Sequence, residues 1–542
     1  MLEIKKEKST HYIEAILYDG ELSRTDEIAI ATFEGEPIIT KIRILEEILP
    51  MCARFKAKEK VVAATGIRMQ LMEKEKVLPG MPFMLYKKNK EKNMKISYNW
   101  LKNYLNINYS SEELSSILTD IGLEVGGIEN FSSIKGGLKG VVIGEVITCI
   151  KHPNADKLSL TQVNIGKEDL LSIVCGAPNV AEGQKVVVAT VGTTIYSKEG
   201  EFEIKKAKIR GEVSEGMICA EDELGLGTSH DGIMVLPSDA IVGTAAADYF
   251  KIENHIVFEI DLTPNRIDAA SHIGVARDIA AWKRMTDNFS YQKPDISKFE
   301  NPNKKSAIKI EIENDNACNR YIGLCLKNIK VEESPTWLKN KLKSIGLNPI
   351  NNIVDITNFV LHETGHPLHA FDKSKIKGNK VIIKTLAKGT KFTTLDEIER
   401  ELSNEDLMIC NSEEPMCIAG VLGGTNSGIT ENTTEVFLES AYFNPTYIRK
   451  TAKRHAINSD ASFRFERGAD IDMAEYAIKR AALLIKEITN CEIESDIQDV
   501  FPNKIKPNKI IFSYDKCFSA IGKNIGKDLT KKIIDALEIK SK

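Results

Sequence analysis

The sequence predicts a multidomain α+β protein, in which two strand-rich stretches precede a mixed domain. Three observations predict it. A chain of 542 residues suggests three to five domains. The stretches up to about Asn93 and from about Lys139 to Asp248 alternate short apolar runs with Gly, Pro and Asn turns. From about Ala307 to Pro502, strand-like runs mix with helical periodicity. Hydrophobic residues at 42% and charged residues at 28% describe an ordinary soluble composition. The net charge of -4 excludes a global basic field, so any RNA contact must use local patches. The 10 cysteines are scattered without a Cys-x-x-Cys pair, and no secretory signal opens the chain. That pattern predicts reduced thiols and a cytoplasmic location. No apolar run is long enough to cross a membrane.

The elements follow in order. Tyr12 to Leu17 and Ile28 to Ala31 alternate around Tyr18-Asp19-Gly20, and Asp-Gly between strands signals a hairpin. With Lys60 to Ala64 and the Leu78-Pro79-Gly80 turn, residues 1–93 predict a small β-barrel and a linker. The Lys-rich run Lys87 to Lys92 is a solvated segment, and it leads into Met94, which reads like a native start. The chain therefore looks like two coding regions joined.

Residues 94–138 and 249–291 predict a small α+β domain. Ser110 and Glu113 form a capping box, Leu114, Ile117, Leu118 and Ile121 follow helical spacing, and Gly122 suits the C-terminus. A second helix is expected from about Ala269 through Trp282. Between these pieces, residues 139–248 predict an inserted barrel with strands at Val141 to Ile150, Ser159 to Ile165, Gln184 to Ala189 and Ile204 to Lys208.

Residues 292–306 are polar and proline-containing, as a linker would be. In residues 307–502, strands are expected at Ala307 to Ile312, Tyr321 to Ile329 and Val381 to Lys384. A helix is expected from Pro335 to Ile345, stopped at Gly346, and another from Met473 to Glu487, burying Ala477, Ala481 and Leu484. Residues 503–542 begin a further module, with a strand at Ile510 to Ser513 and a helix at Leu529 to Leu537.

Three runs carry the chemistry: Gly365 to Asp372 (GHPLHAFD), Ala419 to Gly424 (AGVLGG) and Asn458 to Gly468 (NSDASFRFERG). Glycine lets backbone approach a ligand closely, and histidine can hold a water or move a proton. For a lone His or Gly pair, a satisfied core histidine and a plain turn are the commoner explanations. Other patterns are weak or missing. There is no Gly-x-x-x-x-Gly-Lys-[Ser/Thr] P-loop, and Gly225-Leu226-Gly227 lacks the strand–turn–helix context of a dinucleotide fingerprint. His272-Ile273-Gly274 only echoes a class I synthetase signature and lacks its last residue.

Taken together with MKISYNWL (Met94 to Leu101), HPNADKL (His152 to Leu158) and TPNRID (Thr263 to Asp268), the three runs resemble the beta subunit of bacterial-type phenylalanyl-tRNA synthetase. The resemblance runs from Met94 to the C-terminus in the family's order and spacing. It implies an OB-fold barrel at 139–248, similar to free-standing tRNA-binding proteins in Cys175 to Asn179 and Ser214 to Met217. It implies a proofreading domain at 307–502, hydrolysing tyrosine misattached to phenylalanine tRNA. Residues 503–542 become the truncated start of a helical module. Residues before Met94 instead resemble the β-barrel of the archaeal and eukaryotic-type translation initiation factor GTPase, in Ile16 to Gly20 and Pro37 to Arg43.

The resemblance also assigns site residues. Glu439 matches the acceptor of the tyrosine phenol, and His369 a residue near the ester and its attacking water. Gly423 leaves room for the ring, and Ala461 matches a position where bulk blocks the pocket. Ser459 stands where the family often has threonine. Arg464 and Arg467 are expected in internal ion pairs rather than on tRNA phosphate, and His366 and His455 in structural roles. No cofactor or metal is expected in this chain; ATP and magnesium belong to the complete enzyme, whose synthetic site lies in the alpha subunit. The implied partners are phenylalanine tRNA and that alpha subunit, in a heterotetramer. The implied function is that of a partial ligase beta subunit with editing activity; the alternative is a non-catalytic tRNA-binding or assembly scaffold.

Overall fold

The computed structural model describes residues 94–504 except 198, 199 and 228, residues 509–541, and segments 3–7, 10–17, 21–24, 27–30, 38–48, 55–58, 60–62, 65–71 and 83–85 of the first 93. The chain divides into two compact units, Met1–Asn93 and Met94–Lys542.

The first unit is built on an antiparallel sheet in which Thr10–Leu17 lies between Glu3–Glu7 and Thr65–Leu71. Thr65–Leu71 in turn pairs Ile38–Ile48, which pairs Glu27–Ile30. Thr10–Leu17 and Glu27–Ile30 do not pair with each other as the expected hairpin requires. Both edges of Thr10–Leu17 are already taken, and the next strand, Glu21–Ser23, pairs Lys60–Val62 instead. Tyr18 to Gly20 and Leu78 to Gly80 lie outside the described residues.

The second unit opens on a three-stranded sheet. Asn254–Asp261 is its centre, flanked by Met94–Ser97 and Glu124–Ser132. Because Ser132 and Asn254 are registered partners, the intervening chain leaves and re-enters at one point and is an insertion in this sheet. Ser110 caps the Ser111–Asp120 helix through a complete capping box with Glu113, and Gly122 follows its end at φ +85. The later helix starts at His272, not Ala269. The Ser271 hydroxyl accepts from Gly274 N at 3.0 Å, which fixes the cap there, and Ile267–Ala269 forms a separate 3₁₀ turn.

The insertion carries an antiparallel sheet ordered Leu171–Cys175, Ser159–Asn164, Val141–Lys151, Lys185–Thr190, Gly216–Ile218. The strand expected from Ile204 to Lys208 is broken. Ile204 is buried and exchanges backbone bonds with Gly192 and Thr193, which ends one strand at Glu203 and restarts another at Ala207.

The last large region packs two sheets and a helical layer. Leu368–Asp372, Glu435–Phe443 and Cys318–Lys327 lie side by side, antiparallel. Strand alternation divides their side chains. Ala370, Val436, Leu438, Ile322 and Leu324 enter a core shared with the helices Asn352–Thr364 and Met473–Thr489 and with Trp100 and Phe258 of the first sheet. Phe371, Phe437, Ala441, Tyr321 and Cys325 face the other way, onto a second sheet. That sheet runs Lys309–Ile312, Lys380–Thr385, Leu407–Cys410, Pro415–Ile418, Leu422–Gly423, with its first pair parallel. Ala477, Ala481 and Leu484 of the long helix are buried as expected.

The strand expected at Ile510 to Ser513 is not one. Ile510 and Ile511 are 85% and 99% exposed, and the Ser513 hydroxyl accepts from Lys516 N as the cap of the Tyr514–Ile521 helix.

Candidate functional site

The Asn352–Thr364 helix ends where Gly365 adopts φ +81, a left-handed cap that turns the chain sharply. His366 drops into the core, and the chain then runs outward as Leu368–Asp372. His369 lies in the centre of that strand, directly opposite Glu439, which is in turn opposite Gly323. Registered partners share a face, so the imidazole and the carboxyl project toward the second sheet.

Glu439 is only 5% exposed. Burial raises its carboxyl from 4.5 to about 7, although the hydrogen bond from the Tyr321 hydroxyl, 2.7 Å from Oε2, pulls the other way. Among the described residues no other hydrogen bond reaches this carboxyl. The neighbouring thiols of Cys318 and Cys417 are raised by burial first and by the Glu439 charge second. The pocket around this acid is therefore poor in cations, and its one established donor is a phenol.

His369 is half-buried, its ring edge-on to Phe371 at 4.5 Å. Burial alone lowers it from 6.5 to about 4, so the ring is neutral near pH 7. Its Nε2 is buried with no partner among the described residues. A neutral ring nitrogen without a protein partner can accept from a water or a hydroxyl.

Gly423 closes the site from the second sheet. A Cβ there would lie 3.1 Å from His369 Cε1 and 3.0 Å from Leu395 Cδ1, so glycine lets this backbone approach the imidazole. Ser459 caps the Asp460–Phe465 helix: its Oγ accepts from Ser462 N at 3.0 Å and donates to Val421 O at 2.7 Å. It thus ties that helix to the chain two residues before Gly423. Ala461, in the first turn of this helix, packs on the same core as Val421. The structure brings His369, Glu439 and Gly423 together and joins Ser459 to them through Val421, while Ala461 is tied to them only by the shared core. A cavity of about 400 Å³ borders it through Gly424, Phe392 and Met416, but His369, Glu439, Gly423, Ser459 and Ala461 do not line it.

Sequence reading missed Tyr321. It was placed at the start of a strand with no role, yet it is the donor that orients Glu439. A tyrosine heading the buried, otherwise apolar run Tyr321 to Leu326 is a usable signal, because a buried phenol needs a partner. The other polar residues are structural. The His455 ring lies 2.8 Å from Asp406 Oδ2, and Asp406 is wholly buried. Arg464, 1% exposed, donates to Ala270 O and Asp460 O and pairs with Asp460 at 3.5 Å. Arg467 pairs with Glu466 and lies over the Phe463 ring at 4.1 Å. His272 is fully buried and stacked on Trp100 at 3.8 Å, with Ser97 N and His362 O on its two nitrogens, so the class I echo is a packing feature.

Comparison with known proteins gives two domain matches and a set of relatives. Residues 317–490 match the family model described as "B3/4 domain", and residues 141–245 match "Putative tRNA binding domain". Both matches lie in the unit Met94–Lys542. The chain is 54% identical over 448 residues to the phenylalanine–tRNA ligase beta subunit of Bacteroides fragilis (strain YCH46), covering 82% of this chain and 55% of that protein. It is 43% identical over 451 residues to that of Fusobacterium nucleatum, covering 83% and 55%. The resemblance to the phenylalanine–tRNA ligase beta subunit therefore holds over most of the chain, which spans about half the length of the curated relatives it matches. A crystal structure of an N-terminal fragment of the phenylalanyl-tRNA synthetase beta subunit from Pyrococcus horikoshii is similar at 15% identity. It covers 53% of this chain and 77% of that one, with a TM-score of 0.26 that carries no argument.

Proposed function

We propose that the site is an editing centre, hydrolysing tyrosine esterified to phenylalanine tRNA within a phenylalanine–tRNA ligase. The observation that carries this reading is Glu439: a buried carboxyl with one oxygen held by Tyr321 and, among the described residues, no second donor, set opposite a neutral imidazole. A pocket that merely tolerates a hydroxyl separates tyrosine from phenylalanine poorly, whereas one that must satisfy a buried acceptor separates them well. In this reading Glu439 accepts the tyrosine phenol. His369 Nε2 holds the attacking water near the ester, and Gly423 leaves space between them. Ser459 fixes the Val421–Gly423 segment, and Ala461 keeps the helix surface small.

The remaining assignments follow from the likeness to the beta subunits. The insertion at 139–248 acts as an OB-fold tRNA-binding barrel, and residues 307–502 form the editing domain. The alpha subunit supplies the synthetic site, with ATP and magnesium. Among the described residues no three His, Cys, Asp or Glu side chains group as a metal set. For Met1–Asn93 the reading is the initiation-factor-like barrel, supported by its strand content. A deacylation assay on tyrosyl-tRNA for phenylalanine tests the function. Hydrolysis above the rate of the uncatalysed ester supports it, and its absence, with tRNA binding retained, favours the scaffold reading.

A further inference from the structure

Away from this site, a cavity of about 430 Å³ opens where three parts of the chain meet. One wall is Asn103 and Tyr104, a second is the polar run Gln292 to Asp295, and the third comes from the helices that carry Trp337, Lys341, Phe359, Glu363 and Arg480. The polar run is pinned at both ends of the cavity mouth. Gln292 N donates to Tyr104 O at 2.8 Å, and the Tyr476 hydroxyl donates to Pro294 O at 2.7 Å. The space is thus preformed, and its size suits a small organic ligand.

Its charges are unequally satisfied. Glu363, 1% exposed, accepts from Arg480 Nε at 2.8 Å and Nη2 at 3.2 Å, and from the Tyr104 hydroxyl at 2.8 Å. That hydroxyl also accepts from Trp100 Nε1 at 2.7 Å. The acid is fully used. Lys341, half-buried, feels the charges of Glu363 and Glu253 but bonds to neither: its Nζ sits 5.5 Å from the Phe359 ring centroid and 5.6 Å from those of Trp337 and Trp100. Among the described residues no hydrogen bond or ion pair engages that ammonium. Ring faces attract a cation but give its three N–H groups no acceptor. Lys293, on the cavity rim, also has no ion-pair partner among the described residues.

We infer that this cavity binds a nucleotide, its phosphate on Lys341 and Lys293 and its base against Trp337, which remains 37% exposed. An apolar ligand would leave the ammonium without an acceptor, and a bare anion would leave the aromatic wall uncovered. A phosphate carried on a planar ring satisfies both, since lysine is a phosphate donor and an indole is a stacking platform for any base. Burial lowers the Lys341 ammonium below its ordinary value, and a phosphate would restore it. The nucleotide is either free or one residue of an RNA strand, and neither source depends on the editing assignment.

Isothermal titration of the full chain tests this with four probes: adenosine monophosphate, adenosine, inorganic phosphate and a single-stranded oligoribonucleotide. A free-nucleotide site binds adenosine monophosphate saturably, with adenosine and inorganic phosphate each about tenfold or more weaker. An RNA site binds the oligoribonucleotide and not the monophosphate. In either case Lys341→Met, which keeps the stem on its rings, weakens binding about tenfold or more, with the circular dichroism spectrum unchanged. Trp337→Leu lowers affinity for the nucleotide but not for inorganic phosphate. Lys341→Gln is the second variant if Lys341→Met is unstable. Absence of saturable binding of both nucleotide probes, or equal binding by wild type and the folded Lys341 variant, overturns the proposal.

Discussion

His369 and Glu439 are directly opposed partners on adjacent antiparallel strands, so an imidazole and a buried carboxyl share one face of the sheet. The backbone register, not a flexible loop, sets their spacing. That rigidity suits a site in which one group reads the far end of a side chain while the other serves the ester that carries it.

Glu439 makes stability depend on pH in an identifiable direction. Its folded value of about 7 lies above the ordinary 4.5. Between those values the folded state holds a proton that the unfolded state has released, so this group's contribution is full at low pH and lost as pH rises toward 7. Its size is about 3 kcal/mol at most. Chemical denaturation of wild type and Glu439→Gln across this window should show the variant gaining relative stability as pH rises. Parallel stability curves would count against a buried, proton-holding Glu439.

His369→Ala should slow hydrolysis of tyrosyl and phenylalanyl esters alike, because the ring is proposed to serve the end common to both. The ratio of the two rates should stay near that of wild type. Single-turnover deacylation of both esters measures it, and a loss confined to the tyrosyl ester would place His369 at the phenol end instead.

Gly423→Ala should lower activity with a moderate loss of stability. The added Cβ meets the His369 ring and Leu395 within 3.1 Å, while the backbone there needs no positive φ. Repacking of this kind typically costs about 1–3 kcal/mol. Thermal unfolding with the deacylation rate gives both readouts; an unchanged rate would mean that the imidazole position is not critical.

Asp406→Ala should be severe although it touches no substrate. The buried carboxylate accepts from Ser403 N and Thr451 Oγ1, contacts His455 Nε2 and pairs with Arg454. Removing one partner of a buried ionic cluster costs about 3–5 kcal/mol. Denaturant unfolding measures it, and a cost below 1 kcal/mol would show that the cluster is not structural.

Much of this was legible before the fold was known, for physical reasons that differ by element. The Ser110–Glu113 capping box and the Ala477, Ala481, Leu484 stripe were readable because both depend on residues within a turn or two of each other. Ile204 to Lys208 and Ile510 to Ser513 were misread as strands. Apolar content there is strand-like, but other partners decide the outcome: the Thr193 backbone captures Ile204, and Ser513 is taken locally as the cap of the next helix. The expected pairing of Thr10–Leu17 with Glu27–Ile30 is replaced in the same way, since Thr10–Leu17 pairs Glu3–Glu7 and Thr65–Leu71. At the site, His369, Gly423, Glu439, Ser459 and Ala461 were chosen through family likeness, and spacing alone would not have gathered them. The Tyr321–Glu439 bond joins residues 118 apart in sequence and could only be seen in three dimensions.

The most direct test of the account is the ratio of tyrosyl- to phenylalanyl-tRNA hydrolysis in wild type and Glu439→Ala, measured in single turnover. A site built around an acceptor for one hydroxyl can discriminate by roughly 10⁴-fold, so the variant should lose most of its preference by slowing on the tyrosyl ester far more than on the phenylalanyl ester. An equal loss on both esters, accompanied by lowered thermal stability, would contradict it and leave Glu439 as the buried partner of Tyr321 and nothing more.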